Sequence, residues 1–316
     1  MSVTINAAVC SNVGRVRTNN EDNFYFDGMY MDETNRDRGG IFTQNFSHRQ
    51  MVFAVCDGMG GTARGEDASF CAVRKLKEFA QSGKRVNEPS VLKPVIQNIS
   101  DAVEDECRGS GTTIVMVSVN DGVACISHVG DSRVYTMQNG TLRRATVDHS
   151  EVQRMYSMGL ITREQMATHP KRNMINQFLG MPKSEAMVAP GFTDGVVLQI
   201  GMRFLLCSDG LTDMVSDDVI GDVMSANLSA EESCTVLVRK ALENGGKDNV
   251  TVMILDVTDA DEQQIARAAA AASKTHKKKS ADPKKVKELT LIKNISLAGM
   301  IVGAFGLLLN MILMFI

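Results

Sequence analysis

No tryptophan occurs in the 316 residues and few other aromatics do, which leaves aliphatic side chains to supply most of any core. Seven cysteines are scattered without a Cys-x-x-Cys pair, and Cys56, Cys125 and Cys207 lie inside apolar runs. That pattern excludes a zinc site and reads as reduced core residues in a cytosolic compartment rather than as disulfides. No cysteine opens a Cys-x5-Arg phosphate loop and no serine sits in Gly-x-Ser-x-Gly, so the chain lacks an obvious covalent nucleophile. The Gly-Lys-Ser/Thr of a nucleotide P-loop is missing too, and no amino-terminal signal peptide is visible.

What is present is 44% hydrophobic residues, enough to bury one large domain of about 250 residues. The net charge of −3 conceals an asymmetry. Residues 274–293 hold eight lysines against Asp282 and Glu288, a local +6, which leaves the preceding 273 residues at −9. An acidic body excludes nucleic acid as the expected partner. Residues 295–316 are almost wholly apolar and would span about 33 Å as a helix, the thickness of a bilayer core. A buried core helix would carry a polar face, whereas this stretch offers only Asn310 and Ser296. The expectation is a single transmembrane helix over 294–316 behind an Ala/Lys-rich linker at 258–293. The lysines would keep the acidic body cytoplasmic and contact anionic lipid. Gly299 and Gly303 form one Gly-x-x-x-Gly that permits helix pairing.

In the acidic body, the apolar run Phe53-Ala54-Val55-Cys56 stops at Asp57-Gly58-Met59-Gly60-Gly61. A strand buried on both faces fixes its last residue, and glycines let backbone carbonyls approach the same ion. The same order of apolar run, Asp and Gly recurs at residues 203–210. Acidic turns at Gly130-Asp131-Ser132 and Asp248-Asn249 sit beside further strand-like runs. Several hard oxygen ligands at strand ends suggest a magnesium or manganese cluster. Arg17 with Glu21 and Asp22 reads either as a solvated loop or as a guanidinium for phosphate beside two carboxylates for metal-bound water.

Taken in order, residues 3–9 and 24–26 read as strands and 28–50 as a long polar hairpin loop. Helical spacing of apolar residues marks 66–81, with Val73, Leu76 and Phe79 on one stripe. Leu92, Ile96, Ile99 and Val103 mark a second helix, and Cys234, Leu237, Val238 and Ala241 a third. Between them lie short β-rich runs joined by Asn120-Asp121-Gly122 and Gln138-Asn139-Gly140, both hairpin signals. Helices framing antiparallel hairpins predict an α+β layered fold. Residues 261–272, rich in alanine, read as helical.

These segments together resemble a known family. Arg17-x-x-Asn20-Glu21-Asp22, Asp57-Gly58-Met59-Gly60-Gly61, Ser110-Gly111-Thr112-Thr113, Gly130-Asp131-Ser132-Arg133, Asp148-His149-Ser150, His169-Pro170-x-Arg172-Asn173, Ser208-Asp209-Gly210 and Asp248-Asn249-x-Thr251 resemble, in order, the motifs of the metal-dependent Ser/Thr protein phosphatases of type 2C in their bacterial form. The resemblance implies a catalytic domain over 1–257, built as a four-layer α-β-β-α sandwich of two antiparallel sheets flanked by helices. It also implies a variable flap at about 151–190 beside the cleft. By this resemblance Asp57 bridges two Mn²⁺ or Mg²⁺ ions, the Gly58 carbonyl holds one of them, and Asp209 and Asp248 complete the other. Glu21 and Asp22 act through metal-bound water, Arg17 holds the substrate phosphate, and Asp131 with Asp209 helps to hold a third, weaker ion. Two divalent ions can deprotonate a bridging water for in-line attack on a phosphoryl group, without a phosphoenzyme.

Two departures are visible. Met59 stands where many eukaryotic relatives have His, which leaves the acid for the leaving group unidentified, and Asn12 stands where relatives often have Asp. His149 and His169 read as structural or flap-orienting. The implied function is a membrane-tethered phosphatase acting on phosphoserine and phosphothreonine proteins and opposing a Ser/Thr kinase. The alternatives are a catalytically silent phosphoprotein-binding scaffold and a phosphatase for small phosphorylated molecules.

Overall fold

A computed structural model of the chain describes residues 3–32, 40–60, 64–184 and 187–261. They begin with strands β1 (Thr4–Asn12), β2 (Asp22–Phe26), β3 (Met29–Tyr30), β4 (Gly40–Phe46) and β5 (Gln50–Gly60), then helices α1 (Gly65–Ala80) and α2 (Pro89–Glu106). Strands β6 (Ser110–Thr112), β7 (Ile114–Asn120), β8 (Val123–Val129), β9 (Arg133–Gln138) and β10 (Thr141–Arg144) follow. Short helices α3 (Glu151–Ser157) and α4 (Arg163–Thr168) precede β11 (Gly191–Phe192), β12 (Val196–Val197) and β13 (Arg203–Cys207). Helices α5 (Asp209–Thr212), α6 (Asp217–Ser225) and α7 (Ala230–Glu243) lead to β14 (Val250–Asp259).

The strands form two sheets. One runs β10-β9-β13-β14-β1-β4; the other runs β11-β8-β7-β5-β2-β3, with β12 on β8 and β6 on β5. All the pairings are antiparallel. Strand periodicity divides the apolar residues among three cores. Ile5, Ala7, Val9, Phe53, Val55, Phe204, Leu206, Met253 and Leu255 pack between the sheets. Val52, Ala54 and Cys56, the alternate residues of β5, meet Leu76 of α1 and Leu92, Ile96 and Ile99 of α2. Leu205, Cys207, Val252 and Ile254 meet Ile220 of α6 and Leu237 and Val238 of α7. This is the expected sandwich with flanking helices, and burial on both faces explains why β5, β13 and β14 read as continuous apolar runs.

Both hairpin signals are borne out. Asn120 pairs with Val123 and Gln138 with Thr141 across turns in which Asp121, Gly122, Asn139 and Gly140 take positive φ. Helix α7 begins with a capping box between Ser229 and Glu232.

The loop expected over residues 28–50 needs correction. Residues 40–46 form β4, which pairs along β1 from Ile5 opposite Phe46 to Ser11 opposite Gly40. Gly40, Thr43, Gln44 and Asn45 of β4 are exposed and only Phe46 is buried, so its sequence does not show the alternation of a strand. Asp27 and Gly28, at φ +43° and +116°, close a further tight hairpin between β2 and β3.

The described residues all fall in one compact unit. The expected helix at 261–272, the linker at 258–293 beyond residue 261, and the transmembrane helix at 294–316 lie outside the described residues. The single-pass membrane location is corrected: among the described residues no helix is long and apolar enough to cross a membrane. The longest of them, α1, α2 and α7, each bury one stripe and keep a polar face, which suits packing rather than lipid.

Candidate metal and phosphate site

Strand β5 pairs with β7 as far as Val55 and resumes with β6 only at Gly58, so Asp57 falls at the seam between two ladders. It is thus inside a strand rather than at its end, as the sequence suggested. Thr112 and Thr113 close the gap. The Asp57 N–H donates to Thr113 Oγ1 (3.0 Å), and its carbonyl accepts from the Thr113 N–H (2.8 Å) and Thr112 Oγ1 (2.9 Å). With its backbone fully engaged, the Asp57 side chain is aimed by the sheet.

Gly58 is enclosed by backbone. A Cβ there would stand 2.3 Å from the Gly65 carbonyl oxygen and 2.4 Å from that of Glu21, so only glycine fits. Its N–H donates to the Glu21 carbonyl (3.1 Å), which also accepts from Ser69 Oγ (2.7 Å). Asn249 ties the opposite wall. It accepts from the Glu21 N–H (2.8 Å) and donates to the carbonyls of Val13 and Asn19 (2.9 Å each).

These anchors bring Arg17, Glu21, Asp57, Gly58, Asp131, Asp209 and Asp248 to one cleft of about 810 Å³. Asp131 follows β8, Asp209 is the first residue of α5 after β13, and Asp248 precedes β14. Arg17 Nη2 donates to Asp248 Oδ2 at 2.8 Å. Asp22 does not line the cleft; it is buried opposite Asp57 on the neighbouring strand. Its Oδ2 accepts from Ser208 Oγ and Thr251 Oγ1, both at 2.7 Å, while Oδ1 is buried without a hydrogen-bond partner.

Unpaired negative charge dominates the electrostatics. Burial, then the charges of Asp22, Asp209, Asp131 and Asp248, hold the Asp57 carboxyl well above the usual carboxylate range. Asp209 is raised in the same way by burial and by Asp131, Asp213, Asp248 and Asp22. Burial pushes Asp22 up to about 6 against the pull of its two hydroxyl donors. Asp131 goes up to about 6 through burial and Asp148.

A divalent cation fits this donor set. Oxygen ligands, an orphaned carboxylate oxygen at Asp22 and an excess of negative charge are what a hard ion neutralises. Among the described residues no three His, Cys, Asp or Glu side chains close on one point as a ready cage. An ion that keeps several waters needs fewer side chains than that.

The cleft continues beyond the carboxylates to Glu104, Asp105, Arg108, Asn173, Ile175, Phe178 and Pro182. Of these only Asn173 stood in a motif; the others come from the ends of α2 and the 151–190 segment and carried no sequence signal. The 151–190 segment holds α3 and α4. Three further residues were overlooked as scaffold: Thr113, Ser208 and Thr251, each an unremarked hydroxyl inside a motif. His149 does not line the cleft. Its ring lies 4.7 Å from that of His128, its Nδ1 accepts from the Gly130 N–H (3.3 Å), and burial lowers it to about 4. His169 Nδ1 accepts from the Lys171 N–H (3.1 Å).

The sequence profile of protein phosphatase 2C matches residues 30–244. Similar chains include the Ser/Thr phosphatase stp of Listeria welshimeri, 32% identical over 256 residues, covering 77% of this chain and 92% of that one. The protein phosphatase PhpP of Streptococcus pneumoniae is 32% identical over 262 residues, 80% of this chain and 98% of its own. A crystal structure of the PstP catalytic domain with two manganese ions superposes with a TM-score of 0.64 at 29% identity, over 81% of this chain and 100% of that one. About four-fifths of this chain thus accounts for nearly all of both relatives, which lend no support to a membrane location.

Proposed function

The chain belongs to the protein phosphatase 2C family, and from that premise we propose that it hydrolyses phosphoserine and phosphothreonine in proteins with two Mn²⁺ or Mg²⁺ ions in the cleft. The observation that carries this reading is the convergence of Asp57, Asp131, Asp209, Asp248 and Glu21 on one cleft whose lining cations are Arg17 and Arg108 alone among the described residues. Asp57 and the Gly58 carbonyl would hold one ion, and Asp57, Asp209 and Asp248 the other. Glu21 and Asp22 would orient its hydration, and Asp131 with Asp209 would take a third. When bound, such ions neutralise charge on a phosphoryl group and lower the pKa of a water that then serves as nucleophile.

The protein's own residues supply placement. The seam of β5 fixes Asp57, and Ser208 and Thr251 hold the Asp22 carboxylate by one oxygen so that the other stays directed away from them. A guanidinium has five N–H donors, and Asp248 engages Arg17 through one nitrogen, so its remaining donors can take phosphate oxygens. Covalent catalysis would need an activated nucleophile, and the cysteine thiols do not provide one: burial pushes Cys207 and Cys71 up to about 12. The kinase opposed by this activity is inferred only as a class, one that phosphorylates serine or threonine.

The test is hydrolysis of a phosphothreonine peptide by the full chain, alongside a panel of small phosphate esters. Turnover that appears on adding Mn²⁺ or Mg²⁺ and vanishes with a chelator is expected. Turnover indifferent to metal would sink the reading. Equal or faster hydrolysis of the small esters would favour a small-molecule phosphatase.

A further inference from the structure

Arg108 sits on the cleft wall formed by the turn from α2 to β6. The turn is firmly built. The Cys107 N–H donates to the Val103 carbonyl (2.8 Å), the Ser110 N–H to the Cys107 carbonyl (2.9 Å), and Gly109 takes φ +83°. Two residues on, Ser110 pairs with Gly60 of β5, so the turn is tied to the strand that carries Asp57.

The carboxylates near Arg108 in sequence are already matched with other cations. Lys183 Nζ lies 2.9 Å from both oxygens of Asp105 and 3.9 Å from Glu104 Oε2. Glu106 pairs with Arg74 and lies 3.7 Å from Lys75 Nζ. Arg108 itself has no ion-pair partner among the described residues, and it is exposed. The other cleft cation, Arg17, is engaged by Asp248. One guanidinium in the cleft is therefore uncommitted, in a wall whose negative charges Lys183 offsets.

We propose that Arg108 is a specificity-determining residue that engages a second anionic group on the phosphoprotein substrate, a carboxylate or a further phosphate near the residue being dephosphorylated. This rests on the phosphatase reading above. A planar guanidinium recognises carboxylate and phosphate alike through paired N–H donors. The cleft extends from the carboxylate floor to Arg108 without a break, so a peptide placed over the floor passes this wall. Without Arg108 this wall would have no cation among its lining residues, and an anionic flank would find no partner there.

The test uses the full chain with Mn²⁺ and phosphothreonine peptides identical except for one flanking position. That position is walked along both sides as alanine, glutamate or a hydrolysis-resistant phosphonate. For at least one position an anionic flank should raise kcat/KM about fivefold over alanine, chiefly through KM, and high salt should erase the difference. Arg108→Ala should bring the ratio near one, and Arg108→Glu should invert it. A preference for phosphonate alone would assign the subsite to phosphate; one shared with glutamate would assign it to anions in general. An unchanged melting temperature checks that both variants fold. A ratio of one in the wild-type protein, or an identical preference in Arg108→Ala, would overturn the proposal while leaving the phosphatase reading intact. No turnover of any peptide would overturn both.

Discussion

Two groups of carboxylates sit near one another in this fold with opposite surroundings. Asp148 is buried between Arg133 Nη2 and Arg144 Nη2, each 2.8 Å away, and Arg133 reaches on to Tyr135, whose hydroxyl donates to Asp217 (2.8 Å). Asp57 and Asp209 lie in a cleft where the surrounding charges are more carboxylates. The first group is a paired network that ties β9 to the segment preceding α3. The second is a charge deficit held open by the rest of the fold. Like charges at close quarters cost stability, and a fold that keeps them needs a ligand to neutralise them.

The largest effect expected from breaking this contrast is on turnover. Asp209→Asn should reduce metal-dependent phosphopeptide hydrolysis by about a thousandfold, by analogy with loss of one preorganised electrostatic group. The same substitution should raise the melting temperature of the chelated protein, because it removes a repelled charge. Asp148→Asn should do the reverse. It leaves two part-buried guanidinium groups short of a counter-charge and should cost about 3 kcal/mol in denaturant melts. If both substitutions move stability in the same direction, the contrast is wrong.

Acidity sharpens it further. The unfolded carboxylates titrate near pH 4, whereas burial pushes Asp22 and Asp131 up to about 6 in the folded chain. Between those values the folded state binds more protons, so the stability of the chelated protein should fall as pH rises through the window. Manganese requires the deprotonated form, so the stabilisation it confers should grow over the same interval. Melts with and without Mn²⁺ at about pH 5 and about pH 7.5 would show it; a larger metal-induced shift at the lower pH would refute it. The smallest effect is a control remote in sequence from both groups. Ser229→Ala removes the α7 cap and should cost about 1 kcal/mol while leaving the response to metal unchanged.

The legible parts of this molecule were those whose signals are local. Continuous apolar runs announced β5, β13 and β14, Asp-Gly and Asn-Gly announced two hairpins, and acids next to glycine announced the cleft. Strand β4 was missed because Gln44, Asn45 and the other exposed positions resemble loop, and only the partner β1 makes the segment a strand. Asp57 lines the cleft, but its support was not visible, since Thr112 and Thr113 are more than fifty residues away. Asp22 and its hydroxyl partners Ser208 and Thr251 are likewise joined only by the fold. Arg108 carried no motif, and what singles it out is that its acidic neighbours are occupied elsewhere.

The sheet order has a consequence for how such a chain is made. Strand β1 lies between β4 and β14, and Ser11 Oγ meets Thr251 Oγ1 at 2.7 Å across a separation of 240 residues. During translation, β1 therefore waits with one edge unpaired while nearly all of the domain is synthesised, on the order of ten seconds or more at ribosomal rates. Asp248, which engages Arg17, emerges only just before β14 closes the sheet. Until that last strand pairs with β1, Asp248 has no fixed place beside Arg17, so the order of synthesis itself delays completion of the cleft until the domain is almost complete.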